Sequence, residues 1–532
     1  MLALARSTMR ARLTLSLVAA TALLAAIPLG LACSSGNQAS TGDDGGADAN
    51  DEGDASDDTN QPFEASPEPD ATSNVCTYNG TQTDPVALCT QQQALTFELQ
   101  YAYTKGTGVA PGWSSVGPGY AAVSGHDWQD DLGLAGALGG YLCSASVYGN
   151  THSTDGFLAV LGDLAPVLRA ELAASPSPLA GVMDGEIYFR LRWAQAAYAH
   201  VDALTSTTLG QLADAFAASL AAAAVVVPPS DGSSPGGTIL GTPSGSGQVT
   251  YSPAQEVMAA AALLDEASRH ATDPDAGLAT SYLATATSVL SYVFARGANP
   301  AADGLFYQSL MTSSDPEFDT PTGGMPTSDS LLTDTQAAVV LGLARAQDAL
   351  TLLQGTLDGG APDATALGIT PYWNAGSHLV EGMLGDGLYD GMQSTPGAVP
   401  GAFLEGMVVS SGAFLTNKTT LGNAWTMGAY ARIVVGGAGS RGWLPTNLRA
   451  GLVQYTPAHS SLFTIVTDSQ GQPEQQAFLR AGSQSFGYAL AYPTDAGTQE
   501  MGATNYRSDA VHALVEGLTQ LWHGVRDAPC AP

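Results

Sequence analysis

Positive charge is what this chain has least of. Its 532 residues carry 17 Lys and Arg against 49 Asp and Glu, a formal net charge of −32. Such a field repels phosphate backbones and anionic lipid, which argues against nucleic acid and electrostatic membrane docking as partners. Cysteine is scarce as well, with five in all and no Cys-x-x-Cys pair. His-x-x-x-His and Glu-flanked zinc spacings are absent, so no metal site is expected. No Gly-x-Ser-x-Gly elbow, Walker loop or dinucleotide fingerprint stands out, and no cofactor is expected. Convincing strand alternation is sparse too. What remains is a long, apolar, acidic chain with enough hydrophobic residues for a large core.

The few arginines of the N-terminus are grouped. Arg6, Arg10 and Arg12 precede an apolar run from Leu13 to Ile27, then Pro28-Leu29-Gly30-Leu31-Ala32-Cys33. A charged region, an apolar region and a small residue before a cut read as an export signal over residues 1–32. Leu31-Ala32-Cys33 resembles a bacterial lipobox, with Gly30 where an aliphatic residue is more usual. That resemblance implies cleavage before Cys33 and lipidation of its thiol. Ser34 does not match the inner-membrane retention signal, so the outer membrane or cell surface of a Gram-negative bacterium is the expected address. Without the signal, 14 basic residues face 49 acidic ones, a net charge of −35. Residues 34–75 hold eleven of those acids and no Lys or Arg. They offer no apolar stripe to bury, so residues 33–75 are expected to be a lipidated, disordered tether. The folded domain is expected over residues 76–532.

Within that domain, apolar residues recur at a helical period. Ile187, Leu191, Ala194, Tyr198 and Val201 form one stripe. Leu332, Val339, Leu343, Ala346 and Leu350 form another, and Val511, Leu514, Leu518, Leu521 and Val525 a third. Similar segments lie near 86–104, 129–148, 157–174, 205–227, 254–271, 278–296, 374–385, 401–416, 421–435 and 474–492. The total is about a dozen helices. Residues 228–250 read as a low-complexity surface loop, and Ser461 to Thr467 as a short strand. Asp-Gly recurs shortly before an aromatic at Asp155, Asp184, Asp303 and Asp386. Such turns between helices predict a ring of helical hairpins with aromatic loops on one rim.

The stretch Gly125-His126-Asp127-Trp128-Gln129-Asp130-Asp131-Leu132-Gly133 concentrates three carboxylates, an imidazole and an indole at a helix start. Paired carboxylates beside an aromatic suit glycosidic bond cleavage, where one group protonates the leaving oxygen and the other attacks or activates water. The competing reading is that these acids cap the helix and satisfy its dipole. Neighbours on a regular helix point about 100° apart. Both aspartates therefore serve one bond only if at least one lies in the non-helical cap. A wider dyad would pair one of them with Asp334, Glu186, Glu405 or Asp509.

A dozen helices, Asp303-Gly-Leu-Phe-Tyr-Gln before a long helix, and Leu331-Leu-Thr-Asp-Thr-Gln-Ala resemble the six-hairpin (α/α)6-toroid glycosidase superfamily. The resemblance implies an all-α toroid over most of residues 76–530. Trp128-Gln-Asp-Asp is similar to the adjacent aspartates of glycoside hydrolase family 76, which acts on α-1,6-mannan. By that resemblance Asp130 and Asp131 are the acid/base and the nucleophile. The family's tryptophan-rich first-helix motif is missing here, and Leu132-Gly133 follow the pair.

Around that pair, His126, Asp127, Trp128, Glu186, Tyr188, Tyr307, Asp334, Trp373 and Tyr506 are candidate substrate-binding residues. Glu186 and Arg190, four apart, also read as a helix-stabilising pair. His378 near Glu381, the trio Tyr506, Asp509 and His512, and the indoles of Trp425 and Trp443 line a cleft or fill the core. The expected function is hydrolysis of a neutral polysaccharide by a monomer attached to the membrane only through its lipid. The alternatives are a sugar epimerase or polysaccharide lyase on the same fold, or a non-catalytic glycan-binding lipoprotein. Four cysteines remain beyond Cys33 in an oxidising compartment. A hairpin of 86–104 and 129–148 brings Cys89 towards Cys143, and closure of the ring brings Cys76 towards Cys530.

Overall fold

The computed structural model describes Leu95, residues 113–114, 121–122, 128–148, 154–229, 236–245, 247–272, 277–297, 305–313, 325–356, 404–415, 420–430, 493–494 and 497–498, and the helical positions 512–513, 515–517 and 519. The signal, Cys33, the acidic tether, Cys76, Cys89 and Cys530 lie outside the described residues. So do the segments near 374–385 and 474–492 and the expected strand at 461–467.

Two of the expected helical stripes are helical where they are described, except that Val201 falls in a turn and Leu332 ends a strand; Val511, Leu514, Leu518, Leu521 and Val525 of the third lie outside the described residues. The described elements begin with a short antiparallel pair, β1 (Trp113–Ser114) and β2 (Ala121–Ala122), followed by α1 (Trp128–Tyr148) and α2 (Thr154–Leu172). Next come α3 (Glu186–Tyr198) and α4 (Ala203–Ala222), then α5 (Pro253–His270) and α6 (Gly277–Arg296). The later helices are α7 (Thr333–Thr356) and α8 (Thr420–Tyr430). Ile187, Leu191, Ala194 and Tyr198 are buried on α3, and Val339, Leu343, Ala346 and Leu350 on α7. α6 is long and apolar enough to cross a membrane. Its Tyr282, Ala286, Val289 and Val293 are instead buried in the common core, where α6 packs on α5.

Small residues set how these helices meet. Gly136 faces Trp193, and a Cβ at Gly139 would stand 2.5 Å from that of Ala197. Gly133 faces the His512 ring and Gly140 faces Thr519, seven residues further along both segments. Gly185 lies against the backbone of Met258 and Ala259, while Arg192 bonds Glu266, again seven residues further on both. Seven residues are about two turns, so equal spacing on both partners means that the helices run parallel. Helical glycines cost about 1 kcal/mol each relative to alanine. In α1 that cost is offset by backbone approaches that no larger residue permits.

The neighbours trace a closed ring of six inner helical segments among the described residues. α1 packs on α3, α3 on α5, α5 on α7, and α7 on α8. The Ala424 carbonyl then meets Gly517, and His512 and Thr519 return to α1. α2, α4 and α6 lie against α1, α3 and α5 as the second members of hairpins.

The strands trim this ring. β3 (Ala224–Val227) pairs antiparallel with β4 (Gly237–Leu240). β5 (Gln248–Tyr251) pairs with β6 (Leu310–Ser313), and β6 with β7 (Met325–Pro326). The 228–250 segment therefore carries ordered strands where a surface loop was expected. The expected helix at 401–416 is also corrected. β9 (Gly406–Val408) turns at Gly412 into β10 (Ala413–Leu415), and β9 pairs with β8 (Ser330–Leu332). A short apolar run does not separate helix from strand, and here the pairing with β8 decides. A last two-stranded pair joins β11 (Pro493–Thr494) to β12 (Gly497–Thr498).

The hairpin end at β4 is fastened by a buried acid. Glu256, in the first turn of α5, accepts the Leu240 N–H at 2.9 Å. Burial pushes its carboxyl up to about 8, against the pull of that one hydrogen bond. A raised folded value means the stabilising proton is fully held below the unfolded value near 4.5 and is lost as pH rises through 8. Glu256→Gln, which mimics the protonated form, should melt several degrees above wild type at pH 8 and show a flatter decline between pH 5 and 8. Parallel melting curves would contradict this.

Candidate active site

Besides α5 with its buried Glu256, three inner helices bring acids to their first turns. On α1, Trp128, Gln129, Asp130 and Asp131 open the helix itself, so both aspartates are helical and neither is a cap residue. Their side chains diverge accordingly: Asp130 is half-buried, and Asp131 has no exposed surface. Asp131 lies in the electrostatic surroundings of the buried Tyr198 hydroxyl, whose ionisation it opposes after burial itself. Trp128 is partly buried against the core. His126 and Asp127 lie outside the described residues.

On α3, Asp184 precedes the helix and accepts the Glu186 N–H at 3.0 Å. The α1–α3 register puts Asp184 level with the start of α1. Burial raises the Asp184 carboxyl above the usual range, with the Glu186 N–H bond opposing it. Asp184 was missed as an acid because Asp-Gly reads first as a turn. Its place before a helix that runs parallel to α1 is the signal that would have found it.

On α7, the Thr333-Asp-Thr-Gln sequence anchors the rim. The Thr333 N–H donates to the Glu405 carbonyl at 2.8 Å, and its hydroxyl donates to the Leu404 carbonyl. The Gln336 amide bonds both the N–H and the carbonyl of Phe306, each at 2.8 Å, clamping the segment Leu305-Phe306-Tyr307 to α7. Asp334 is half-buried, and burial raises its carboxyl, with the Glu405 charge adding to the rise. Tyr307 is half-buried on that loop, near Asp329. Asp334 and Glu405 therefore share one corner of the rim, while α1 stands three places away round the ring.

The centre of the ring is charged. Glu186 and Arg190 lie one turn apart on α3, yet each finds a partner on another helix. Arg345 of α7 donates to Glu186 at 2.5 Å, touches the Met258 sulfur at 3.1 Å and covers the Phe189 ring, 4.1 Å from its centroid. Arg190 faces Glu516 at 3.5 Å. Burial raises the Glu516 carboxyl, and Arg190 lowers it. The expected Glu186–Arg190 pair is thus replaced by two cross-helix pairs. Between them, Glu186, Arg345, Glu516 and Trp425 border a cavity of ≈ 10 Å³, space for about one water molecule.

Tyr188 requires a correction. Two residues from Glu186, it points about 200° away around α3. Its ring is fully buried, and its hydroxyl lies 2.6 Å from an Asp265 oxygen and 2.8 Å from a Glu266 oxygen, with one proton to share between them. It belongs to a buried network with Arg192, which also pairs with Asp214, and offers no surface to a sugar. Phe157 of the Asp155-Gly-Phe sequence is corrected likewise. That sequence starts α2 instead of forming a loop, and Phe157 is buried edge-on to Tyr141. Cys143 on α1 is disulfide-bonded, and its partner lies outside the described residues. Trp373, Tyr506, His378, Glu381, Trp443 and Asp509 are also outside them. His512 is buried against Gly133.

The fold is similar to that of proteins of known structure. An unsaturated glucuronyl hydrolase specific for heparin matches 82% of this chain and 96% of its own, at 10% identity and a TM-score of 0.50. The fold is the (α/α)6 toroid of the six-hairpin glycosidases. An inactive α-1,6-mannanase variant of a Salegentibacter species, in complex with α-1,6-mannotriose, matches 82% of this chain and 99% of its own, at 10% identity and a TM-score of 0.48. The unsaturated glucuronyl hydrolase of a Bacillus species matches 82% and 97%, at 14% identity and a TM-score of 0.47. No protein-family model and no curated protein matches the sequence.

The toroid explains why the axial charges matter. Removing one partner of a buried ion pair leaves the other uncompensated, at a cost of about 3–5 kcal/mol. Arg345→Met should lose that much in denaturant unfolding. Arg345→Met combined with Glu186→Gln should recover at least half of it. Equal losses in both would show that the pair contributes nothing of its own.

Proposed function

We propose that this protein is a glycoside hydrolase of neutral polysaccharide, held at the cell surface by lipid on Cys33 and acting as a monomer. The observation that carries the reading is the first turn of α1. Two successive carboxylates, Asp130 and Asp131, follow Trp128 at the start of an inner helix of a glycosidase-type toroid. Acid chemistry at a sugar bond needs one carboxyl that donates a proton to the leaving oxygen and one carboxylate that attacks carbon or activates water. Asp130, the half-buried member, meets the substrate from the open side. Asp131, enclosed by protein, is the second carboxylate, and the scissile bond lies in the angle between them. Trp128 supplies an apolar edge for the sugar ring. The acidic exterior suits an uncharged polymer better than an anionic one.

One observation favours a second proton donor. Asp184 stands level with this turn on the neighbouring parallel helix, and burial holds its carboxyl towards the protonated form. Asparagine keeps the shape of each side chain but removes proton transfer and nucleophilic attack. Asp130→Asn and Asp131→Asn should each slow hydrolysis of an α-linked neutral glycan by roughly a hundredfold or more. Melting temperatures should change by only a few degrees, since Asn keeps the shape of Asp and a first-turn charge contributes about 0.3–1 kcal/mol. If Asp131→Asn stays active and Asp184→Asn does not, the proton donor is Asp184. Undiminished turnover in both α1 variants would remove the assignment. A wild type that binds glycans without cleaving them would favour a binding protein.

A further inference from the structure

His512 is buried where packing alone would choose a smaller, apolar side chain. It belongs to the closing helix, is 1% exposed, and lies against α1 at Gly133, where any Cβ would collide with its Nδ1. Two costs meet in this contact. The imidazole loses its hydration, and α1 carries glycine in place of a better helix former. Helix-to-helix contact requires neither. Seven residues along both helices, Gly140 meets Thr519, a smaller side chain whose hydroxyl donates to the Val515 carbonyl of its own helix at 2.8 Å. A small residue at position 512 would close the contact in the same way.

What the ring gains is its position. Asp130 and Gly133 are three apart on α1 and share a face, about 5–6 Å from one another, with Asp130 nearer the rim. α1 and the closing helix run parallel, and helical side chains lean toward the N-terminus. The His512 ring therefore leans from the level of Gly133 toward Asp130. Glu516 follows His512 by one turn of its own helix. Burial raises the Glu516 carboxyl, and Arg190 and His512 are among the groups that lower it. An imidazole between two carboxyl groups can hold an N–H toward one while the other fixes its tautomer.

We propose that His512 is a positioning residue: it directs a ring N–H at the Asp130 carboxyl and holds Asp130 in the rotamer that meets the glycosidic oxygen. The role rests on the glycosidase reading, in which Asp130 takes part in cleavage. His512 itself touches no sugar. Its loss slows the chemical step and leaves substrate binding unchanged.

Steady-state kinetics of the full chain on α-1,6-mannan, or on another neutral α-glycan if wild type prefers it, test this role. His512→Phe keeps the ring and removes both nitrogens. Its kcat should fall about tenfold or more, with KM within about twofold and the melting temperature within a few degrees. In His512→Asn the amide falls near Nδ1, and in His512→Gln near Nε2. One of these two should keep kcat within about threefold of wild type. Packing alone predicts the opposite order, with Phe active and both amides impaired. Wild-type turnover in His512→Phe, or both amides as slow as Phe, overturns the role and leaves the assignment of Asp130 intact. Should His512→Phe not fold, the ring-nitrogen resonances of His512 in the full chain decide. Asp130→Asn should move them more than those of any other histidine, and unmoved resonances overturn the role. A wild type that cleaves no neutral α-glycan overturns the glycosidase reading and this role together.

Discussion

Two guanidinium–carboxylate pairs on the axis of the ring, Glu186–Arg345 and Arg190–Glu516, tie the inner helices to one another. Charges this deep are expensive to desolvate, and they persist only with partners in good geometry. α3 supplies one member of each pair. It is thereby bound to α7 on one side and to the closing helix on the other, with Met258 of α5 under the Arg345 guanidinium. The pairs connect segments that are not adjacent in the ring, a task that hydrophobic contact between neighbours does not perform.

The small residues make that reach possible. Glycines along α1 and at Gly185 let helix backbones approach closely, and the matched spacing of their contacts aligns α1, α3, α5 and the closing segment in one direction. Parallel inner helices put their N-termini on a common rim. The helix dipole favours negative charge there, which is why helix stabilisation and catalysis compete for the same aspartates. The divergence between half-buried Asp130 and enclosed Asp131 gives the two positions different surroundings. Pairs of carboxyl groups divide acid and base roles by such differences of environment.

The ring was legible because helical stripes are written by period. Ile187, Leu191, Ala194 and Tyr198 point to one face at a spacing that only a helix satisfies, and all four are buried. Partnership across the chain was not legible. Glu186 and Arg190 sit at ideal spacing for a local pair, yet Glu186 pairs with a residue 159 positions away. Tyr188 follows an Asp-Gly turn and suggested a platform, but its helix turns it into a network with Asp265 and Glu266. Residues 401–416 suggested a helix until β8 supplied a strand for Gly406–Val408. In each case the local pattern was satisfied, and a distant partner decided the outcome.

The account stands or falls on where a sugar lies. A crystal structure of Asp130→Asn with a neutral α-linked oligosaccharide measures this directly. A glycosidic oxygen within hydrogen-bond reach of position 130, with the chain running over the first turns of α1 and α3, is the expected result. An oligosaccharide seated on the outer helices, away from these turns, would contradict it.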